Sequence, residues 1–447
     1  MDILEYSDKK YESCIKNDSI DRDLFSKYNV KRGLRDERGN GVLTGLTNIS
    51  IVNSKKQIGE MVVSCDGQLM YRGYDVVKMV EDGIDKRFRF EEAAYLLLFG
   101  NLPNKSELSE FQKVIAKEMK LPEHFERDVI MKAPSSDIMN SMTKSVLTLS
   151  SYDSMTFDLS IPNVLRQSLS LISKFPMLAV YGYHAYNYSI NNKSMYIHKP
   201  KPELSLSENF LRMLRANKRY TELEAKALDV ALLLHMEHGG GNNSTFTTRV
   251  VTSAGADTYA AVAAGLSSLK GPKHGGANLM VMKMMDDIHS NISDYSDKDE
   301  IKAYLNKILD REAFDRKGLI YGIGHAVYTI SDPRERVFKQ FVESLAKEKG
   351  RQKDMELYQN IEDIAPELIM ERTKGRRIVS PNVDFYSGFV YDMLGIPREL
   401  FTPLFAVARI VGWSAHRIEE IVSGDKIIRP AYMSVAYPKE YVGRNDR

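Results

Sequence analysis

Apolar residues recur at helical spacing along most of this 447-residue chain, and the alternating pattern of a strand almost disappears after its first sixth. Several helical segments stop at glycine or proline, as Phe90–Phe99 does at Gly100. The one clear strand signal covers 61–71, where Asp66-Gly67 between apolar runs predicts a tight hairpin turn. The pattern therefore predicts an all-α fold with a minor N-terminal β-hairpin.

Signals of helix ends divide the next part of the chain. Pro162–Lys174 is predicted to be a helix with proline in its first turn, and a second apolar helix is predicted over Met177–Tyr186. The stretch Asn187–Ser207 has no periodicity and is predicted to be a surface loop. Thr221 and Glu224 form a capping box that predicts the start of a strong helix. No internal repeat is visible, and periodicity alone does not locate the domain boundaries.

Charge and size limit the kind of protein this can be. Lys plus Arg is 62 and Asp plus Glu is 60, a net charge of +2, so nothing global indicates nucleic acid or an anionic membrane. The two cysteines are too few for a disulfide framework and fit no metal motif. The acidic N-terminus resembles neither a signal nor a transit peptide, and the longest apolar run, Ala93–Phe99, is too short to span a bilayer. We expect a cytoplasmic protein of two or three domains with no nucleic-acid or membrane partner.

A single histidine lies in a glycine-rich gap between two helical patterns, in Gly271-Pro-Lys-His274-Gly-Gly-Ala277. The glycines let a ligand approach the backbone, and the following helix offers free N–H groups and the positive end of its dipole. That end disfavours imidazolium, so we expect His274 to be neutral and to donate a hydrogen bond to a developing oxyanion. Alone, the same turn could be only a joint between two helices.

Polar residues cluster in three other turns, and two further arginines follow them. The groups are His235–Ser244, Gly322–Tyr328 with Asp332–Arg334, Pro381–Gly388, and Arg409 with Arg429. Arg409 lies on an otherwise apolar helix, where a buried arginine requires a substrate carboxylate or a structural Asp or Glu. The whole inventory suits carbon-acid chemistry on a polycarboxylate. Arginines would hold carboxylates, a carboxylate would remove a proton, and histidines would donate to enolate and carbonyl oxygens.

Two of these clusters have other interpretations. His235, Glu237 and His238 could form the metal site of a metallohydrolase, but the spacing H-x-E-H is not that of a metalloprotease and no third ligand is evident. We therefore predict no metal, and His235 is better explained as a buried core histidine. Asp384 could be only the N-cap of a helix that begins at Phe385.

In their order along the chain, these motifs resemble the citrate synthase family. The resemblance runs from about Gly33 to Tyr437, and its N-terminal part rests on Gly41–Thr47, Tyr71–Tyr74 and Leu97–Pro103. Its other motifs are His238-Gly-Gly-Gly-Asn, Gly-Pro-x-His274-Gly-Gly-Ala, Gly-x-Gly-His325-Ala-Val-Tyr with Asp-Pro-Arg334, Pro-Asn-Val-Asp384 with Ser-Gly388, Ala-Arg409 and Arg429-Pro. The family implies an all-α homodimer that needs no cofactor and uses acetyl-CoA as a substrate.

The resemblance also implies a domain organisation. Residues 1–31 lie outside the resemblance, and their charged, weakly patterned sequence predicts an arm or a peripheral helix. The resemblance implies a large helical domain built from 32–274 and 389–447. A small domain, 275–388, would close over the active site and exclude water until citryl-CoA has formed.

Carried over to this chain, the resemblance assigns catalytic roles to three residues. Asp384 would take a proton from the methyl group of acetyl-CoA, and His274 would hydrogen-bond to the enol or enolate oxygen. His325 would polarise the oxaloacetate carbonyl and donate a proton as the new C–C bond forms, while His238 would also hold oxaloacetate.

Arginines would hold the substrate carboxylates. Arg334, Arg409 and Arg429 would clamp oxaloacetate, the last from the partner subunit. A basic run shortly before Asp384 could contact CoA phosphates or could equally be a solvated face. Its members are Lys374, Arg376 and Arg377.

Alternatives remain within and outside this chemistry. A 2-methylcitrate synthase would use propionyl-CoA with the same catalytic residues, and the motifs do not distinguish the two. A non-catalytic dimeric module is a second alternative, but all three catalytic positions are present. Lys273 departs from the family, in which many members have an apolar residue before the first catalytic histidine. Its ammonium could lower the pKa of His274 further or could point away.

Overall fold

The structure is a computed structural model that describes residues 1–36, 39–59, 61–81, 87–325, 327–376 and 378–446. Helices make up 59% of the chain and strands 6%, which confirms the predicted all-α fold with a minor sheet. Contacts between Cα atoms divide the chain into two compact units, 1–46 and 47–447. The division into an arm, a large domain and a small domain stays a prediction.

The first unit carries two helices, α1 (Ile3–Asp18) and α2 (Arg22–Lys27). The Asp2 side chain accepts the N–H of Glu5, and the Glu5 carboxylate accepts the N–H of Asp2, so a capping box opens α1. Neither helix contains a buried residue. The charged, weakly patterned start of the chain therefore forms helix without contributing to a core.

The sheet begins the second unit and is antiparallel. Its strands lie in the order β1 (Ser50–Ile58), β2 (Met61–Tyr71) and β3 (Tyr74–Asp75). Ile58 pairs with Met61, so the chain reverses between these two residues.

The predicted hairpin turn at Asp66-Gly67 is wrong, because both residues lie inside β2. A glycine is needed there since another backbone comes close: the N–H of Gly67 donates to Ser331 O at 3.2 Å, and a Cβ at this position would lie 2.2 Å from that oxygen. The Ser331 hydroxyl also donates to Asp66 at 2.8 Å. The Asp-Gly pair therefore packs against the segment around residue 331 instead of forming a turn.

We expect Gly67→Ala to lower the free energy of unfolding by about 1–3 kcal/mol, because the added methyl group must displace the Ser331 backbone. Chemical denaturation of the wild type and the variant measures this difference. Gly45→Ala is the control, since a Cβ at Gly45 would have no neighbour within 4 Å. Equal free energies of unfolding for Gly67→Ala and the wild type would contradict the prediction.

Helices make up most of the rest of the described chain. The first group is α3 (Val76–Glu81), α4 (Arg89–Phe99), α5 (Lys105–Glu118), α6 (Ile138–Leu149), α7 (Ile161–Ile190), α8 (Leu206–Leu214), α9 (Glu222–His235) and α10 (Asn243–Ser253). The second group is α11 (Thr258–Leu269), α12 (Ala277–Asn291), α13 (Lys298–Leu309), α14 (Pro333–Lys349), α15 (Gln352–Arg372), α16 (Val383–Met393) and α17 (Phe401–Ser423). As predicted, α4 closes at Gly100, whose φ is 91°, and Thr221 caps α9.

The two helices predicted on either side of residue 175 are one continuous helix, α7, with Pro176 in its interior. Proline removes one backbone hydrogen bond, but every side chain from Leu171 to Gly182 is buried. Tertiary burial of an unbroken helix outweighs that local loss. The predicted loop Asn187–Ser207 is also too long, because α7 runs to Ile190 and Ser205 caps α8.

Helix α17 forms the core of the second unit, and it packs against α7, α9, α10 and α11. Helices α12 to α16 pack mainly on one another, while α14 and α16 also contact α9. Because α9 packs against α17, it connects this group of helices to α17. None of the described helices combines the length and the apolar character that a membrane span requires.

Candidate active site

The candidate catalytic residues come together from five places in the fold. His238 follows α9, His274 precedes α12, His325 precedes α14, Asp384 lies in the first turn of α16, and Arg409 lies within α17. The rings of His238 and His325 have centroids 5.2 Å apart. Arg409 lies close enough to act on the pKa of His238, His274 and Asp384 alike. The five segments therefore build one site.

His274 is neutral at physiological pH, because burial and then Arg409 lower its pKa to about 4. Its Nε2 lies 3.3 Å from the backbone nitrogen of Ser244. A backbone N–H can only donate, so Nε2 accepts and Nδ1 carries the proton. The neutral state agrees with the sequence-based prediction, although the main cause is burial. Lys273 is exposed, and it is not among the charges that act on the pKa of His274.

The His325 ring is oriented by the backbone that follows it. Its Nδ1 accepts the N–H of Val327 at 3.0 Å and of Tyr328 at 3.1 Å, so in the neutral ring Nε2 carries the proton. The ring stacks on Tyr328 with centroids 4.9 Å apart, and His238 lies edge-on to both. Burial, followed by Arg334, holds the pKa of His238 well below its usual range. His238 is therefore neutral, and the neutral form of His325 presents Nε2–H beside it as a hydrogen-bond donor.

Asn382 joins the loop of His325 to the start of α16. Its side-chain nitrogen donates to Gly324 O at 2.7 Å, and its backbone N–H donates to Gly322 O at 2.9 Å. Its side-chain oxygen accepts the N–H of Asp384 at 2.9 Å and so caps the helix. The interpretation of Asp384 as only an N-cap is therefore wrong, because Asn382 is the cap.

The Asp384 carboxylate is partly buried and accepts no hydrogen bond from any residue that the structure describes. Burial is the main influence and, with Asp332, it raises the pKa, whereas Arg334 and Arg409 lower it. The result is a pKa of about 6. A carboxylate that titrates near neutrality without fixed donors is suited to act as a general base.

Arg334 is buried at the start of α14 and is held by Asp332, two residues before it. Its Nε and Nη2 donate to the two Asp332 oxygens at 3.0 and 2.7 Å. Asp332 also caps α14 and accepts the N–H of Val383 at 3.1 Å. The sequence places Asp332 in a polar cluster but predicts no role for it. Its place before a proline at the first helical position is the signal of an N-cap.

Arg409 is fully buried, and its Nε donates to His235 O at 2.8 Å. Its two Nη atoms have no partner among the described residues. Burial lowers its pKa to about 10, with Glu237 acting in the opposite direction. The sequence predicts either a substrate carboxylate or a structural one as the partner of Arg409, and no Asp or Glu among the described residues forms an ion pair with this guanidinium. Two free Nη groups in a buried place fit the carboxylate of a ligand.

The metal-site interpretation of His235, Glu237 and His238 gains no support. His235 packs among aromatic rings, with the centroid of Phe405 4.7 Å away, as expected of a core histidine. The Glu237 carboxylate is engaged by His416 at 2.9 Å. Within the described part of the chain, no group of three or more His, Cys, Asp or Glu side chains is placed to hold a metal ion.

Three predicted binding residues lie elsewhere in the chain. Arg429 is exposed in the segment after α17, and Lys374 and Arg376 are exposed just after α15. Arg377 lies outside the described residues. In the single chain, no described contact joins the first three to the site, so their roles stay predictions.

Comparison with known proteins decides the family. A family model described as the citrate synthase C-terminal domain matches residues 38–431. The chain belongs to the citrate synthase family. A citrate synthase of Synechocystis is 34% identical and covers 86% of this chain and 89% of its own. One of Deinococcus radiodurans is 32% identical and covers 94% and 99%. This family member is an enzyme of the transferase class, and citrate synthases need no cofactor.

Solved structures of citrate synthases have the same fold. The ternary complex of the Thermoplasma acidophilum enzyme with carboxymethyl coenzyme A and oxaloacetate matches with a TM-score of 0.76 and 27% identity, over 94% of this chain and 99% of that one. The Pyrobaculum aerophilum enzyme matches with a TM-score of 0.75 and 27% identity, over 93% and 95%. The helical architecture of this citrate synthase family member is therefore that of the family.

Proposed function

We propose that this member of the family is a citrate synthase, which condenses acetyl-CoA with oxaloacetate and hydrolyses citryl-CoA to citrate and CoA. The observation that carries the proposal is the pair of free Nη groups on buried Arg409, close to a carboxylate whose pKa is about 6. One group can hold a substrate carboxylate, and the other can remove a carbon-bound proton. The complex of the Thermoplasma acidophilum enzyme supports the substrate classes, since it contains oxaloacetate and a coenzyme A derivative.

Oxaloacetate binds, in this proposal, between the arginines and the paired histidines. Arg409 takes one carboxylate on its free Nη groups, and Arg334 contributes from α14 while Asp332 holds its Nε and Nη2. His325 presents its Nε2–H to the ketone oxygen, because the backbone occupies Nδ1. His238 lies beside it with an Nε2 that has no partner among the described residues.

Asp384 then takes a proton from the methyl group of acetyl-CoA. The Nδ1–H of neutral His274 stabilises the enol or enolate oxygen, since Nε2 accepts from Ser244. The carbon nucleophile attacks the ketone carbon of oxaloacetate, and His325 gives a proton to the oxygen that becomes the hydroxyl. Water then cleaves the thioester of citryl-CoA and releases CoA as a thiol.

The active site is completed, we propose, in a homodimer by Arg429 of the partner subunit. This arginine lies in an exposed segment without helix or strand, which also carries highly exposed aromatic residues such as Tyr432 and Tyr437. Such residues on an extended segment are suited to cover a second subunit. Closure of the small domain, 275–388, over the active site belongs to the same proposal, as do contacts of Lys374, Arg376 and Arg377 with CoA phosphates.

Thiol release tests the proposal. The purified protein is given acetyl-CoA or propionyl-CoA, each with and without oxaloacetate. We expect release that depends on oxaloacetate and is faster with acetyl-CoA. Preference for propionyl-CoA would make the protein a 2-methylcitrate synthase, and no release with either would contradict both assignments.

We expect kcat/KM to fall as the pH drops below about 6, by about tenfold per pH unit. The pKa of Asp384 is raised to about 6, so below that pH the base is increasingly protonated and inactive. His274 stays neutral over this range because its pKa is about 4. Initial rates between pH 5 and 8 at constant ionic strength measure the profile. An acidic limb near pH 4, the ordinary range of a carboxylate, would contradict the assignment.

A further inference from the structure

The segment 235–240, which carries His238, lies along one face of α17. That face presents Arg409, Gly412 and His416, which recur at helical spacing. A Cβ at Gly412 would lie 2.5 Å from Met236 O, so only glycine allows the two segments to come this close. A Cβ at Gly240 would lie 3.3 Å from the ring of His416. His416 therefore packs directly on Gly240, two residues after His238.

The hydrogen bonds of His416 have a definite direction. Nη1 of Arg249 lies 2.9 Å from Nδ1 of His416. Because a guanidinium has no acceptor, Nδ1 must accept, and the ring proton is on Nε2. That Nε2 lies 2.9 Å from Oε1 of Glu237 and donates to it. These hydrogen bonds form one chain that runs from Arg249 through His416 to the buried carboxylate of Glu237. We call these three residues the Glu237 network.

The carboxylate at the end of the network holds the peptide that carries His238. Oε1 of Glu237 also accepts the N–H of Gly239 at 2.5 Å and the hydroxyl of Ser50 at 2.9 Å. Gly239 is the residue directly after His238. The position of the Glu237 side chain therefore sets the position of the peptide that follows the histidine.

Both ends of the network are anchored. Arg249 forms ion pairs with Glu419 and Glu420 on α17, each at 2.8 Å. Glu237 and His416 are both fully buried, and burial leaves few alternative conformations for either side chain. None of these residues is engaged by the reaction steps described above.

We propose that His416 and Arg249 are positioning residues, which act through Glu237 to hold His238 in register with Arg409 so that both reach the same oxaloacetate molecule. The inference rests on the proposed function. His238 and Arg409 lie on different segments, and side chains of α17 form hydrogen bonds to the His238 segment at two points: Arg409 at His235 O, and His416 at the Glu237 carboxylate. Loss of the second contact removes the donor that α17 supplies to Glu237, so that only Ser50 and Gly239 still donate to this carboxylate.

The test compares His416→Phe, which removes both ring nitrogens, with His416→Gln, which restores a donor to Glu237. His184→Phe is the matched control, because His184 is another buried histidine, hydrogen-bonded to Met213 O on α8 far along the chain from the network. Isothermal titration calorimetry without acetyl-CoA measures the Kd of oxaloacetate in the absence of turnover. Thermal unfolding is measured for every variant.

We expect the Kd of oxaloacetate to rise about tenfold or more in His416→Phe, since a buried hydrogen bond to a charged group is lost. It should stay within about threefold of the wild type in His416→Gln and His184→Phe, and the KM of acetyl-CoA should be unchanged in all three. If His416→Phe does not fold, Arg249→Gln takes its place, because it removes the donor that fixes the His416 tautomer.

If the wild-type protein binds and turns over oxaloacetate, two results would overturn the inference and leave the proposed function intact. One is an unchanged Kd in His416→Phe; the other is an equal loss of affinity in His416→Phe, His416→Gln and His184→Phe, which would show general destabilisation. Wild-type protein that neither binds oxaloacetate nor releases thiol would overturn the proposed function, and the inference with it.

Discussion

Asp384→Asn should lower kcat about 10²–10⁴-fold, the range expected for the loss of a general base. The variant keeps the size and shape of the side chain but cannot accept a proton from carbon. The fold should survive, because Asn382 caps α16 and no described residue donates to the Asp384 carboxylate. Stability should be unchanged or higher above pH 6, since the raised pKa means that the ionised carboxylate opposes folding there.

The matched control is Asp392→Asn, which makes the same chemical change on the same helix. Asp392 forms a partly exposed ion pair with Arg351 at 3.0 Å, so its loss should change kcat by less than about twofold. Steady-state kinetics and thermal unfolding of both variants give the comparison. Turnover of Asp384→Asn within tenfold of the wild type, with normal unfolding, would remove Asp384 from the mechanism.

Local signals account for what could be predicted from sequence. Helix ends were found where Gly100 or the Thr221 capping box marks them, because these residues act on the backbone within one turn. For a related reason the sequence singles out His274, His325 and Asp384 as candidate site residues, since each lies in a glycine-rich or proline-led segment. A histidine or an aspartate in such a turn interrupts the apolar periodicity, so it can be recognised in the sequence.

Long-range contacts account for the errors and omissions. Gly67 accommodates a backbone more than 260 residues away, so its pairing with Asp66 gave a false turn signal. Pro176 stays inside α7 because burial by other helices overrides its local effect. His416 lies on a regular apolar helix, and its partners Glu237 and Arg249 are more than 160 residues distant. No local pattern contains this information.

Arg409→Met should raise the KM of oxaloacetate about 10²-fold or more, since a buried charge-assisted pair with a substrate carboxylate is lost. Stability should respond in the opposite direction. The pKa of Arg409 is lowered to about 10 by burial, and its two Nη atoms have no described partner, so the unliganded fold holds this charge at a cost. We therefore expect the thermal midpoint without substrate to equal or exceed that of the wild type. Kinetics and thermal unfolding on the same preparation measure both effects.

Arg417→Met separates this prediction from a general effect of removing a buried arginine. Arg417 is also fully buried on α17, but its donors are satisfied by Thr258, Thr252 and Ala256 at 3.2, 3.0 and 2.8 Å. Its loss should lower the thermal midpoint, because the partners lose their hydrogen bonds, while the KM of oxaloacetate should change little. A lower midpoint in Arg409→Met with an unaffected KM would show that Arg409, like Arg417, serves the fold. A higher KM without a lower midpoint in Arg409→Met, together with a lower midpoint and a nearly unchanged KM in Arg417→Met, would show that the Arg409 guanidinium binds a ligand and does not stabilise the fold.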